Sequence, residues 1–171
     1  KYTSGLLVAA KNQEAFEFLK SQWQRGLVTK KYLALVVGRI NKERGEIKSE
    51  LARSKKDFRK RMVVVKKFKD EIAGKLAVTE YKVLRRFKEY TYVEVYPKTG
   101  RMHQIRVHFA SIGNPIAGDK VYGKRKKTPE GLTRQFLHAY YLSFSLPGGK
   151  KLALEADIPD DLARILAKLP K

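Results

Sequence analysis

Between Lys98 and Val107 the chain reads KTGRMHQIRV, with Arg101 and Arg106 five residues apart and His103 between them. Thr99 and Gly100 supply turn chemistry, and Ile105, Phe109 and Ile112 recur at helical spacing, so Arg101 and His103 fall near a helix start. Backbone N–H groups point outward there and the helix dipole is positive, so an anion is welcome and a bare cation mildly unfavourable. Cations that break this local rule would build a positive pocket for a phosphate or a carboxylate. The alternative is an exposed, solvated arginine pair.

The elements that must position these groups follow from periodicity. Residues 90–96, YTYVEVY, alternate as a strand and, with Ala77 to Phe87, form an antiparallel hairpin across Lys88 and Glu89. Leu6 to Ala10 is a short buried-strand candidate. Asn12 caps a helix through about Arg25 with the stripe Ala15, Phe16, Leu19 and Trp23, and Gly26 ends it. Strands are expected at Lys30 to Val37, Ile47 to Leu51, Met62 to Val65, Leu137 to Leu146 and Lys151 to Ala156. A helix follows from Asp160 to about Lys168, and NPIAGDKVYG is a Gly/Pro loop. The order predicts an α+β fold on a mixed, mostly antiparallel β-sheet with flanking helices.

A chain of 171 residues with 43% hydrophobic residues can bury a core as a single domain. Its 38 Lys and Arg against 17 Asp and Glu leave a formal net charge of +21, which makes nucleic acid the first partner to consider. The runs RSKKDFRKR (53–61) and KRKKTPEG are either solvated loops or RNA-contacting loops. No apolar run approaches a spanning helix, so no membrane partner is expected. Without cysteine there is no disulfide, thiolate nucleophile or cysteine-containing zinc site. Three histidines, with His103 and His108 turned apart on a helix, predict no metal, and no Gly-rich nucleotide loop is present. A reducing cytoplasm is compatible with this usage. The opening Lys1-Tyr2-Thr3-Ser4-Gly5 has no initiator methionine and reads as the interior of a longer protein.

TSG at Thr3–Gly5, KKYLALVVG at Lys30–Gly38, TGRMHQIRVH at Thr99–His108, GNPIAGDKVYG at Gly113–Gly123 and LHA at Leu137–Ala139, in this order, resemble the catalytic domain of the RluA family of RNA pseudouridine synthases. The resemblance covers nearly the whole chain. It implies isomerisation of uridine to pseudouridine in structured RNA, ribosomal RNA before transfer RNA, by a cytoplasmic monomer without cofactor. In that family the first motif looks like RLD, two variable residues and TSG, with the aspartate as nucleophile; Lys1 and Tyr2 take the variable places, so the aspartate would immediately precede Lys1. A chain lacking it is expected to be inactive alone.

By the same resemblance Tyr32 stacks on the flipped uracil and assists proton transfer at C5, and Arg106 ion-pairs with the nucleophilic aspartate. Leu137 lines the base pocket. Arg101, His103, Gln104 and Lys31 serve substrate binding, by orienting the loop or touching phosphate, and Thr3, Ser4 and Gly5 shape the turn that carries the nucleophile. From the residues alone, Tyr32 reads as packing and Leu137 as core. Asp119 is expected to bond backbone N–H groups in its own turn. The competing class is a non-catalytic RNA-binding module; a DNA binder lacks a recognition helix.

Overall fold

The structure, a computed structural model, describes residues 2–54, 57, 60–64, 73–123 and 126–170. Parts of both basic runs and the end of the strand expected at Met62–Val65 therefore lie outside the described residues.

Alternating β-branched and aromatic residues form the centre of the sheet. The elements run β1 (Ser4–Gly5), α1 (Gln13–Gln24), β2 (Thr29–Val37), β3 (Arg44–Arg53), β4 (Arg61–Val63), β5 (Lys75–Arg86), β6 (Tyr90–Pro97), α2 (Gln104–Ser111), β7 (Leu137–Ser145), β8 (Lys151–Glu155) and α3 (Asp160–Lys168). Among the described residues the strands join one sheet in the order β1-β7-β2-β6-β5-β3-β4, with β8 also on β7. Every pairing is antiparallel except β1 with β7, so the α+β architecture expected from the sequence is the one observed.

Successive residues of β2 serve opposite faces, as pleating requires. Ala34 and Val36 pack with Val93, Val95, Ile105 and Phe109 beneath α2. Leu35 packs with Phe136, Leu162 and Ile165 beneath α3. A register shift between Lys31 and Tyr32 interrupts the β2–β7 ladder just where β2 enters the region beside α2.

Helix α2 is buried over Gln104 to Phe109, nearly all round, while Ile112 at its C-cap is exposed. In α1, Asn12 accepts from Ala15 N at 2.9 Å and so provides the expected N-cap. Phe16 of its predicted apolar stripe is exposed instead, and Gln22 is buried, clasping both backbone groups of Ser145 at 2.8 and 2.9 Å.

The strand expected at Leu6–Ala10 is not formed. Pairing with β7 covers Ser4 and Gly5 and ends with Leu6 N on Ala139 O, because β8 occupies the same edge of β7 from Tyr141 onward. Leu6 and Val8 still pack inward against Trp23 and Leu142, while Leu7 is 91% exposed. Alternation in that stretch is therefore one-sided packing without a ladder. No helix among the described residues is long and apolar enough to cross a membrane.

Candidate active site

Three segments distant in sequence meet beside the N-terminus of α2. The first is Thr3–Gly5, held against β7 by polar contacts as well as strand pairing. Gln135 Nε2 donates to Thr3 Oγ1 at 2.8 Å, and Arg134 Nη1 donates to Ser4 Oγ at 3.1 Å. His138 Nε2 lies 3.0 Å from Ala156 O, a pure acceptor, so it carries the proton, and Nδ1 accepts from the Ser4 hydroxyl at 3.0 Å. Gly5 sits at φ +111°, and a Cβ there would meet Ala139 O at 2.1 Å. Only glycine allows that approach.

The second segment is the Thr99–Arg106 turn and helix start. Gln104 is the strut that shapes it. Its Oε1 accepts from Thr99 Oγ1 at 2.6 Å and Arg101 N at 3.0 Å, and its Nε2 donates to Val78 O and Thr79 Oγ1, each at 2.9 Å. The amide is fully used, so Gln104 orients the turn and has no polar capacity left for a ligand. His103, at the N-cap with φ +59°, points its Nδ1 to Tyr122 Oη at 3.0 Å. That hydroxyl also accepts from Arg61 N, which ties β4 to the turn.

The third is the Gly113–Gly123 loop. Asp119 Oδ1 accepts from Val121 N at 2.8 Å and Tyr122 N at 3.0 Å, the turn role expected of it. The same carboxylate takes Arg106 in a two-point fork, Nε to Oδ2 at 2.6 Å and Nη2 to Oδ1 at 2.7 Å. Its Cζ lies 5.0 Å from the Tyr122 ring centre. Both groups are buried.

The resulting cleft, about 400 Å³, is lined by Thr3, Lys30, Tyr32, Arg101, His103, Arg106 and Leu137, among others. A second cleft of about 330 Å³ lies beside Tyr2, Lys120 and Arg134 and shares Arg106 and His103 with the first. Arg106 is thus a buried cation standing between two openings, both bordered by the amino-terminal segment.

A model of the RNA pseudouridylate synthase family matches residues 1–111. The chain belongs to that family. It is 44% identical to a Bacillus subtilis (strain 168) protein named as an uncharacterized RNA pseudouridine synthase, YlyB, over 172 residues covering 100% of this chain and 54% of that protein. It is 42% identical to the ribosomal large subunit pseudouridine synthase D of Nitrosomonas europaea, covering 97% of this chain and 48% of that one. The chain thus spans about half the length of these curated relatives. Among solved structures, the human RNA pseudouridylate synthase domain containing 1 superposes with a TM-score of 0.73 at 25% identity, over 94% of this chain and 74% of that one.

Within the site the electrostatics follow from burial. Desolvation alone would push the Asp119 carboxyl up, but the hydrogen bonds from Arg106 and from Tyr122 N hold it below the usual carboxylate range. Burial pushes the Tyr32 phenol up, so at neutral pH it stays protonated, able to stack and to donate. Burial first, then the Arg106 charge, lowers His103 and keeps it neutral.

Of the residues singled out from sequence, Thr3, Tyr32, Arg101, His103, Gln104, Arg106 and Leu137 line the one cleft. Ser4 and Gly5 support it through β7. Lys31 does not line it; its Nζ lies 4.6 Å over the Tyr141 ring. Sequence reasoning did not pick out Lys30, Trp23 or Gln135 as lining residues, nor Asp119 as the partner of Arg106. Lys30 was open to inference, since it stands two positions from Tyr32 on a strand and shares its side. The other three come from folding alone.

Proposed function

We propose that this chain supplies the body of an active site that isomerises uridine to pseudouridine within RNA, large-subunit ribosomal RNA being the substrate class. The observation that carries it is the convergence of Tyr32, Leu137, Arg106 and the Thr3 segment on one cleft large enough for a single everted base. The C1′–N1 bond breaks, the uracil turns, C5 bonds to C1′ and loses its proton, and the freed N1 gains one, with no redox change and no cofactor. Leu137 and the Tyr32 ring hold the base, and the protonated Tyr32 hydroxyl donates a hydrogen bond and relays the proton that leaves C5, giving up its own as it takes that one. The nucleophile is the aspartate that the family motif places immediately before Lys1.

Arg106 suits a partner carboxylate at that position. Its fork to Asp119 uses Nε and one Nη2 hydrogen, and both Nη1 hydrogens have no partner among the described residues. Tyr2 borders the same cleft as Arg106, which supports an upstream acid within its reach. Extrusion of the base costs a few kcal/mol, offset by stacking and phosphate contacts. The formal charge of +21 supports the polyanionic partner. Action as a cytoplasmic monomer completes the proposal.

The test is to express the chain with its preceding residues, incubate it with ribosomal RNA from cells lacking the gene, and map pseudouridine. New pseudouridine at one or a few uridines, lost on Arg106→Ala, is expected. RNA binding with no isomerisation would overturn the catalytic proposal in favour of a binding module.

A further inference from the structure

Lys30 is a half-buried amine among groups that do not neutralise it. Among the described residues no carboxylate pairs with it and no acceptor hydrogen-bonds it. Its Nζ reaches across to the turn, 3.8 Å from where a Cβ of Gly100 would sit. Burial lowers its pKa without any compensating anion, so the position costs stability until an anion arrives.

Its placement says which anion. Lys30 lines the cleft that holds Tyr32 and Arg106, and it also lines a smaller pocket of about 190 Å³ beside it. Trp23 and Tyr32 belong to both openings. The smaller pocket adds Tyr141 and the exposed Leu7, and Lys31 Nζ stands over the Tyr141 ring. Aromatic faces flanked by lysines are what a single-stranded base and its phosphate require, and one backbone phosphate separates neighbouring nucleotides. The two openings adjoin and share a cation, Lys30, in their walls.

We propose that the Trp23–Tyr141 pocket is a second nucleotide subsite, which takes the base next to the isomerised uridine while Lys30 grips the phosphate between them. This rests on the uridine-isomerising reading of the neighbouring cleft and adds to it a requirement for an unpaired neighbour. A base held in a helix cannot reach Tyr141, so the subsite selects targets whose adjacent nucleotide is also unstacked.

The experiment uses the protein with its preceding residues and a synthetic ribosomal RNA fragment carrying the mapped uridine, intact or with either neighbouring nucleoside replaced by an abasic riboside. Lys30→Gln keeps a polar chain of similar reach. It should weaken RNA binding about tenfold at low salt, mainly in KM, and make log Kd against log salt shallower by about 0.7, as for one lost phosphate on a single strand. Tyr141→Ala should weaken binding about fivefold or more without changing that slope. With the abasic neighbour on the affected side, Tyr141→Ala should cost nothing further. Wild-type isomerisation together with an unchanged slope in Lys30→Gln, or with Tyr141→Ala equally harmful on both abasic RNAs, would overturn the subsite alone. No pseudouridine from the wild type would instead overturn the reading beneath it, and the subsite with it.

Discussion

The Arg106 guanidinium and the Asp119 carboxylate form a buried two-point fork at 2.6 and 2.7 Å, in which the acid also caps its own turn through Val121 N and Tyr122 N. Removing one partner leaves the other charge buried and unpaired. Asp119→Ala is therefore expected to cost roughly 3–5 kcal/mol of stability by urea unfolding. Asp119→Asn, which retains an acceptor for the turn, should cost less. The double variant Arg106→Leu with Asp119→Leu should lose less than the summed losses of its two single leucine variants. Additive losses in that cycle would mean the two side chains are not coupled.

Gly5 is where the amino-terminal segment passes closest to β7. Gly5→Ala places a methyl against Ala139 O in a left-handed backbone, at roughly 1–3 kcal/mol of strain. Pairing of β1 should be released, read as faster hydrogen exchange at Leu6 N–H, which bonds Ala139 O. Gly26→Ala, also at positive φ but with nothing within 4 Å, should cost less and leave that amide protected.

Acid stability should report His108, whose pKa burial pushes down to about 4. Its Nδ1 and Nε2 face Thr79 and Ser49 hydroxyls at 2.8 and 3.1 Å. Between the unfolded value near 6.5 and about 4, the unfolded chain binds the proton and the folded one does not. Stability is then full above pH 6.5 and falls as pH drops through that window, by on the order of 2 kcal/mol. Asp119 shifts in the same sense but lower, its contribution being lost only below the ordinary carboxylate pKa. Urea midpoints at pH 7, 5.5 and 4.5 check this; His108→Gln should be less stable at pH 7 and flatter across the series. An equally steep series in the variant would assign the loss elsewhere.

RNA affinity should fall steeply with salt, by roughly 10³ or more between 50 and 200 mM if six or more phosphates are contacted. Tyr32→Phe should bind RNA nearly as the wild type does, whereas Tyr32→Ala should lose about fivefold or more through lost stacking. Equal affinities for all three proteins at low salt would remove Tyr32 from the RNA surface.

Local rules made much of the fold legible. The β5–β6 hairpin, the Asn12-capped α1 and the α2 and α3 helices follow from periodicity and capping, which act within a few residues. The Leu6–Ala10 expectation failed because alternation reports one buried side, while strand formation needs a free edge, and β8 takes that edge. Phe16 and Gln22 exchanged places for a related reason, since which face of α1 is buried depends on where β7 ends.

The sequence by itself determined the residue types of the cleft and the family, because TSG, KKY and HQIR are short motifs whose chemistry is local. What only the tertiary structure decided was partnership. Arg106 stands beside Asp119, thirteen residues away, and Lys30 lines two pockets with no carboxylate paired to it among the described residues. Charge pairing and pocket walls depend on distances across the sheet, and those are set by strand order and register rather than by neighbours along the chain.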